Sequence, residues 1–276
     1  MTTEERSTSG MMFVAPLLVV MVVAFNVPLF YMLGLGFWSK GGFTLSHYRD
    51  LADTPVYLQV LGNTFRVSVV ATVANVLLGY PLAYWMRRLS PRLRIVAIAL
   101  VVLPFWVSIL VRTYAWIVVL GNAGILNRAL QGLGLTRGPV AFLYNELGVT
   151  IGMANVLLPF LVLPLYAAMI RIDDRLLQAG ASLGASPRVI FWRIFFPLTL
   201  PALGAGTLLV FILCLGFYVT PAILGGGKVP MIASLLDILI NQLPRWETAA
   251  AVSTILLAAT LSFFAIYRWL ERRAAI

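Results

Sequence analysis

Residues 173–201 read DDRLLQAGASLGASPRVIFWRIFFPLTLP, a polar, arginine-bearing stretch set between two long apolar segments. The pattern predicts two short helices broken at Gly184. Ser186–Pro187 restarts the second, because a serine oxygen can accept from the free N–H groups of a helix start and proline fits the first helical position. Asp173 and Asp174 open the first helix, where the dipole favours negative charge. An ordered helix–turn–helix between apolar segments points to something that docks on it. An amphipathic helix resting on a membrane surface is the plainer alternative, but it requires neither the Gly184 break nor this spacing.

The chain around this loop has 276 residues, 61% hydrophobic and only 11% charged, with a mean hydropathy of +0.95. A soluble domain carries about a quarter charged residues. The length suits one membrane domain and leaves no room for a soluble catalytic domain beside it. The net charge of +10 reads as membrane topology, because arginines cluster at the ends of apolar runs. No basic stretch is interleaved with aromatics as a single-strand binder needs. Cys214 is the sole cysteine and lies in an apolar run, which excludes an intrachain disulfide and a Cys–His metal site. The lone histidine, His47, reads as a solvated loop residue.

A bilayer core takes about 20 apolar residues as a helix. Six runs qualify: 11–37, 64–86, 94–120, 148–170, 201–224 and 247–269. The first lacks a small-residue cleavage site and reads as a retained span. The expected fold is therefore an all-α integral membrane protein with six transmembrane helices and both termini cytoplasmic. Its parts are a tail at 1–10, a single transmembrane domain at 11–270 that includes the loop at 173–201, and a tail at 271–276. Pro16, Pro28, Pro81, Pro104, Pro159 and Pro164 fall inside spans, where kinks serve either packing or bending. Orientation follows from the basic residues. With the N-terminus inside, the inner segments hold Arg6, Arg87, Arg88, Arg92, Arg94, Arg171, Arg175, Arg188, Arg193, Arg268, Arg272 and Arg273, twelve in all. The outer segments hold Lys40, Arg49, Arg128, Arg137, Lys228 and Arg245, which is six. The bias puts the 173–201 loop in the cytoplasm.

Several activities are excluded. Gly225–Gly226–Gly227–Lys228–Val229 is not a phosphate-binding loop, since Val229 stands where Ser or Thr is needed and Ala222 where another glycine is needed. All ten acidic residues lie in loops or at span ends, so no carboxylate relay crosses the membrane. No nucleophile–base pair suggests catalysis, and the chain is not read as an enzyme. Such a chain suits a pathway driven by a partner.

Arg66 and Arg112 remain, within or near spans, and an intramembrane charge is a functional candidate by default. Each can instead snorkel to the outer surface or pair with a backbone carbonyl. Phe105, Trp106, Tyr114 and Trp116 crowd around Arg112 as an interfacial belt or as the lining of a vestibule. Tyr218 and Thr220–Pro221, near the outer end of the fifth run, are gate candidates.

The 173–201 loop resembles the EAA loop of ABC importer permeases. Gln178, Ala179 and Gly180 fall on the EAA positions, Gly184 on the motif glycine, and Phe191, Ile194, Pro197 and Pro201 follow at fitting offsets. Gln178 departs from the motif glutamate and Gly180 from its second alanine. LPFWVSILVRTYAWIVVLG (103–121), GNAGILNRALQGLGL (121–135), LYNELGVTIG (143–152) and VTPAILGG (219–226) resemble the spermidine/putrescine branch, and opine, aminophosphonate and ferric-ion permeases share parts of them.

The resemblance implies a type I, MetI-like permease subunit in a bacterial inner membrane. It implies a second, similar permease as partner, with a second copy of this chain as the alternative, two ATPase subunits docking on the coupling loop, and a periplasmic or lipid-anchored binding protein. Coupling falls to Gln178, Ala179, Gly180, Gly184, Ser186, Pro187 and Phe191. Arg112, Trp106, Tyr114, Trp116, Tyr218 and Thr220 are pathway candidates. ATP and Mg belong to the ATPases, with no cofactor or metal in this chain. The implied substrate is a polyamine, with an opine, an aminophosphonate or another small solute as alternatives. A polyamine pathway needs carboxylates or aromatic faces, and this chain offers the aromatics with two arginines in place of acids. The readings open are that the second permease supplies the acids, that the binding protein does the selecting, or that the substrate is a zwitterion or an anion. A self-contained channel or secondary carrier is the competing class.

Overall fold

The computed structural model describes residues 14–39 and 41–274. The tail at 1–10, the start of the first run, Lys40 and the last two residues lie outside them. The chain is helical apart from loops and a hairpin of two-residue strands, β1 (Trp38–Ser39) and β2 (Gly42–Phe43). Among the described residues six helical segments are long and apolar enough to cross a membrane, the third of them Ile109–Gly132 with a turn at 121–124.

The chain divides into two compact units. The first comprises residues up to Leu58 together with Leu236–Ala259. It holds α1 (Val14–Leu35), the hairpin, α2 (Ser46–Asp53), most of α11 (Ile232–Gln242) and the first half of α12 (Trp246–Ala274). The side chains of α1 are exposed nearly all round, as befits a helix bathed in lipid. Close packing begins at Gly36, where an added Cβ would fall 2.9 Å from the Ala251 backbone. Phe37 lies beside Tyr48, ring centroids 4.9 Å apart.

The second unit spans Gln59–Leu235 and the end of α12. It is built on α3 (Pro55–Arg88), α7 (Glu146–Met169) and α9 (Pro187–Leu215). Of the six spans α7 is the most enclosed, with Met153, Leu157, Leu161, Leu165 and Met169 fully buried. Small residues let the helices approach. Leu161 sits between Gly79 of α3 and Gly206 of α9, and an added Cβ on either glycine would come within 2.8 Å of its methyls. The buried face of α3 carries Thr64, Ser68, Thr72 and Asn75. Thr64, Thr72 and Asn75 bond back to the carbonyl four residues earlier. This satisfies the two threonine hydroxyls and the Asn75 amide N–H in an apolar core, while Ser68 Oγ and Asn75 Oδ1 are buried with no partner among the described residues.

Three runs differ most from expectation. The second, expected over 64–86, starts nine residues earlier, at Pro55 of α3. The third run, expected as one helix over 94–120, is α4 (Pro91–Val102), a 3-10 turn at Leu103–Trp106, and α5 (Ile109–Leu120). Val107 between them is extended, at φ −86° and ψ 132°. Pro104 has no N–H to continue the helix, and its ring crowds the carbonyl four residues back. A short α6 (Ile125–Gly132) follows beyond Gly121. The fifth run, expected at 201–224, begins already at Pro187 and ends at Leu215; α10 (Val219–Leu224) is separate. The second helix of the 173–201 loop is thus the first part of the fifth span. A π-turn at Phe191–Phe195 absorbs Pro197, since i→i+5 bonding relieves the missing donor.

Candidate functional site

The loop folds around Gly184. The Asp173 side chain accepts from Arg175 N at 2.9 Å and caps α8 (Asp174–Ser182). At the other end Gly184 is left-handed, with φ +80°. Its N–H donates to Ala181 O at 2.9 Å, and Ala185 N–H donates to Gly180 O at 3.1 Å. This pair of bonds closes a helix on a glycine and satisfies its last carbonyls. Ser186 occupies the cap position of α9 with Pro187 next, but its side chain makes no capping bond. Ser186 takes part through its carbonyl, which accepts from Ile190 N at 3.0 Å.

α8 is fixed at Gly180 and bare along the stripe beside it. Gly180 is buried, and an added Cβ would fall 2.7 Å from Ile194 Cδ1. Around it Leu176, Gln178 and Ala179 are exposed, and Leu183 at the end of the helix is 88% exposed. Leu176, Ala179 and Leu183 follow at i, i+3 and i+7, which lines them along one stripe. Phe191 turns inward instead, 5.2 Å from the Tyr84 ring, which is in turn 5.2 Å from Phe195.

Arg87 holds this region together, a role that the sequence did not reveal. From the last turn of α3 its Nε donates to Met169 O at 3.0 Å, at the end of α7. Its Nη2 pairs with the Asp174 carboxylate, and its guanidinium lies 5.0 Å from the Phe195 ring centre. Arg94 in turn donates to the carbonyls of Arg87 and Leu89, covering the end of α3.

A second feature lies at membrane depth. A cavity of about 370 Å³ is lined by Phe105, Trp106, Ser108, Arg112, Phe160 and Phe217, among others. Its α7 wall, Val156 and Phe160, falls near the middle of that 24-residue helix. Arg112 Nη2 donates to Val107 O at 2.9 Å, which makes it a charge paired with a backbone carbonyl. Its Nε and Nη1 are shielded from solvent and have no partner among the described residues. Trp106 is 88% exposed. The other pathway candidates lie elsewhere. Tyr114 is exposed on α5, Trp116 donates to Asn155 Oδ1 at 3.3 Å, and Tyr218 precedes α10. Thr220 is buried 3.4 Å from Thr113 Oγ1.

Arg66 neither reaches a backbone carbonyl nor stands alone. It pairs with Glu146 in the first turn of α7, 2.5 Å from Nη2 to Oε2. Arg66 precedes Arg87 by 21 residues, about 31 Å of helix. That is close to one hydrocarbon thickness.

Residues 75–276 match the model of the binding-protein-dependent transport system inner membrane component. The spermidine/putrescine permease protein PotB of Haemophilus influenzae is 37% identical over 254 residues, covering 88% of this chain and 87% of its own length. The PotB protein of Escherichia coli is 34% identical over 231 residues, covering 84% and 83%. The fold matches a chain of a bacterial alginate ABC transporter solved in complex with its pentasaccharide-bound periplasmic protein. The TM-score there is 0.78 at 18% identity, over 98% of this chain and 96% of that one. With six apolar helices and a match over most of its length, the chain belongs to the type I ABC importer permeases, multi-pass proteins of the inner membrane.

Proposed function

We propose that this chain is one permease half of an ATP-driven importer that carries a polyamine such as spermidine or putrescine inward by alternating access. The exposed stripe of α8, anchored beside it at the buried Gly180, carries the proposal. A short helix fixed at Asp173, Gly180 and Gly184, with Leu176, Ala179 and Leu183 bare, is a docking surface for an ATPase subunit. The arginine bias puts α8 and both termini on the cytoplasmic side, where such a subunit can reach it. A second permease completes the pathway, two ATPases with ATP and Mg supply the drive, and a periplasmic or lipid-anchored binding protein delivers solute.

The mechanism follows from the linkages. ATP binding closes the ATPases and moves α8. Because α8 is continuous with α9 through one glycine turn, and is tied to the ends of α3 and α7 by Arg87, its displacement passes into three spans together. Closure drives the switch because the ATPases bind the two states with different affinity. The polyamine assignment is supported by the relatives of this chain and by the aromatic lining of the Arg112 cavity, whose ring faces suit ammonium groups.

The test is purification of the tagged chain in gentle detergent, followed by reconstitution with what accompanies it. ATPase subunits, a second six-span protein and ATP-dependent putrescine or spermidine uptake are expected. A lone chain that conducts or exchanges solute without ATP establishes the channel or carrier class instead.

A further inference from the structure

Arg112 is a puzzle for a pathway that admits cations. It lies against the middle of α7 in a cavity where no acidic side chain contributes to the lining. A charge at such depth persists only with a partner, and buried polar groups are almost always hydrogen-bonded. Here one nitrogen is used, on Val107 O at the break between α4 and α5, while Nε and Nη1 have no partner among the described residues. A polyamine cannot complete the set, since its ammonium groups repel a guanidinium. The cavity's rim carries the exposed Trp106, so the face is open to whatever covers it.

We infer that in the assembled importer Arg112 pairs with a carboxylate of the second permease, and that an ammonium group of the solute displaces it from that carboxylate during transport. The inference rests on the importer reading above. Charge complementarity selects the occupant, because a guanidinium left incomplete by its own chain matches a carboxylate in geometry and sign. It also supplies the acid that this chain lacks for a polyamine. In the empty importer the Arg112–carboxylate pair bridges the two permeases and shuts the pathway. An arriving ammonium takes over the carboxylate, and Arg112 withdraws to Val107 O, the position seen here. The extended backbone at Val107 leaves that carbonyl free of the helix ladder and able to receive it.

The experiment compares Arg112→Lys, Arg112→Gln and Arg112→Glu in the complete importer in proteoliposomes, reading co-purification of the partners and ATPase rate with and without putrescine. R112Q is expected to assemble, to raise the solute-free ATPase rate several-fold and to bring stimulation by putrescine close to one. R112K is expected to retain most of the stimulation. R112E is expected to weaken association with the second permease, and reversal of one acidic residue there to Arg is expected to restore it. An R112Q importer that assembles with unchanged solute-free rate and stimulation overturns the pairing. So does an R112E importer that behaves as wild type. The assembly readout does not depend on which solute is carried. If the wild-type chain captures neither a second permease nor an ATPase, the importer reading falls and takes the pairing with it. Capture together with an indifferent R112Q removes the pairing alone.

Discussion

Arg87 and Asp174, 87 residues apart in sequence, form an ion pair that joins the last turn of α3 to the first residue of α8. The two partners differ in exposure, with side chains 15% and 74% exposed. Magnitudes then separate two variants. Asp174→Asn removes a largely solvated pair, worth about 0–1 kcal/mol. Arg87→Ala also removes the charged bond to Met169 O, which then keeps only the longer 3.4 Å bond from Ile172 N, a loss of about 1.5–3 kcal/mol. Thermal unfolding in detergent should show a small shift for the first and a clear one for the second. Equal shifts would show that Met169 O contributes nothing.

Gly184 should tolerate substitution in a definite order. Its φ of +80° lies where side chains are strained. Asparagine adopts this region with modest cost, alanine costs about 1–2 kcal/mol, and proline cannot enter it because its ring holds φ near −65°. No neighbour obstructs a Cβ there, so the ranking reflects backbone conformation alone. ATP-driven uptake should fall from Gly to Asn to Ala and vanish at Pro, with the protein still in the membrane. Retained uptake in Gly184→Pro would remove the loop from the coupling route.

The Gly184 break was legible because glycine, serine and proline have local conformational meanings that need no tertiary knowledge. The apolar spans were legible for a similar reason: bilayer thickness sets a length that hydropathy alone can match. The break at Val107–Ser108 was hidden, since both sides of it are apolar and one proline within a membrane helix is usually absorbed, as at Pro81. The start of α9 was hidden too, because Phe191–Phe195 keeps a helical path through a π-turn from the loop's second helix into the fifth span. Arg87 counted only as a topological charge. Its role depends on three helix ends meeting, and no local pattern reports that. Arg66 was weighed against lipid and backbone, while its partner Glu146 lay 80 residues away.

Leu161 provides a test of the core. With Gly79 on one side and Gly206 on the other, it has no room for another methyl. Gly206→Ala should cost about 1–3 kcal/mol through overpacking. Leu161→Ala should cost about 2–5 kcal/mol through the cavity it leaves. Combined, the two should cost less than their sum by about 0.5–3 kcal/mol, because each relieves the other. Strict additivity in detergent unfolding would mean that α7 and α9 can separate locally without loss.

The bare stripe of α8 gives the sharpest contrast between stability and function. Leu183 is 88% exposed and supports nothing in this chain, so Leu183→Glu should leave the unfolding temperature unchanged. Where an ATPase covers that side chain, a buried carboxylate without a partner is strongly unfavourable, and the ATPase should be lost on co-purification. Ala179→Arg should do the same by bulk, since Ala179 is exposed one turn earlier on the same stripe. Gln178→Glu is the control: it restores the motif acid at an exposed position and should keep the ATPase bound. An ATPase retained by both Leu183→Glu and Ala179→Arg would return α8 to the status of a helix resting on the membrane surface.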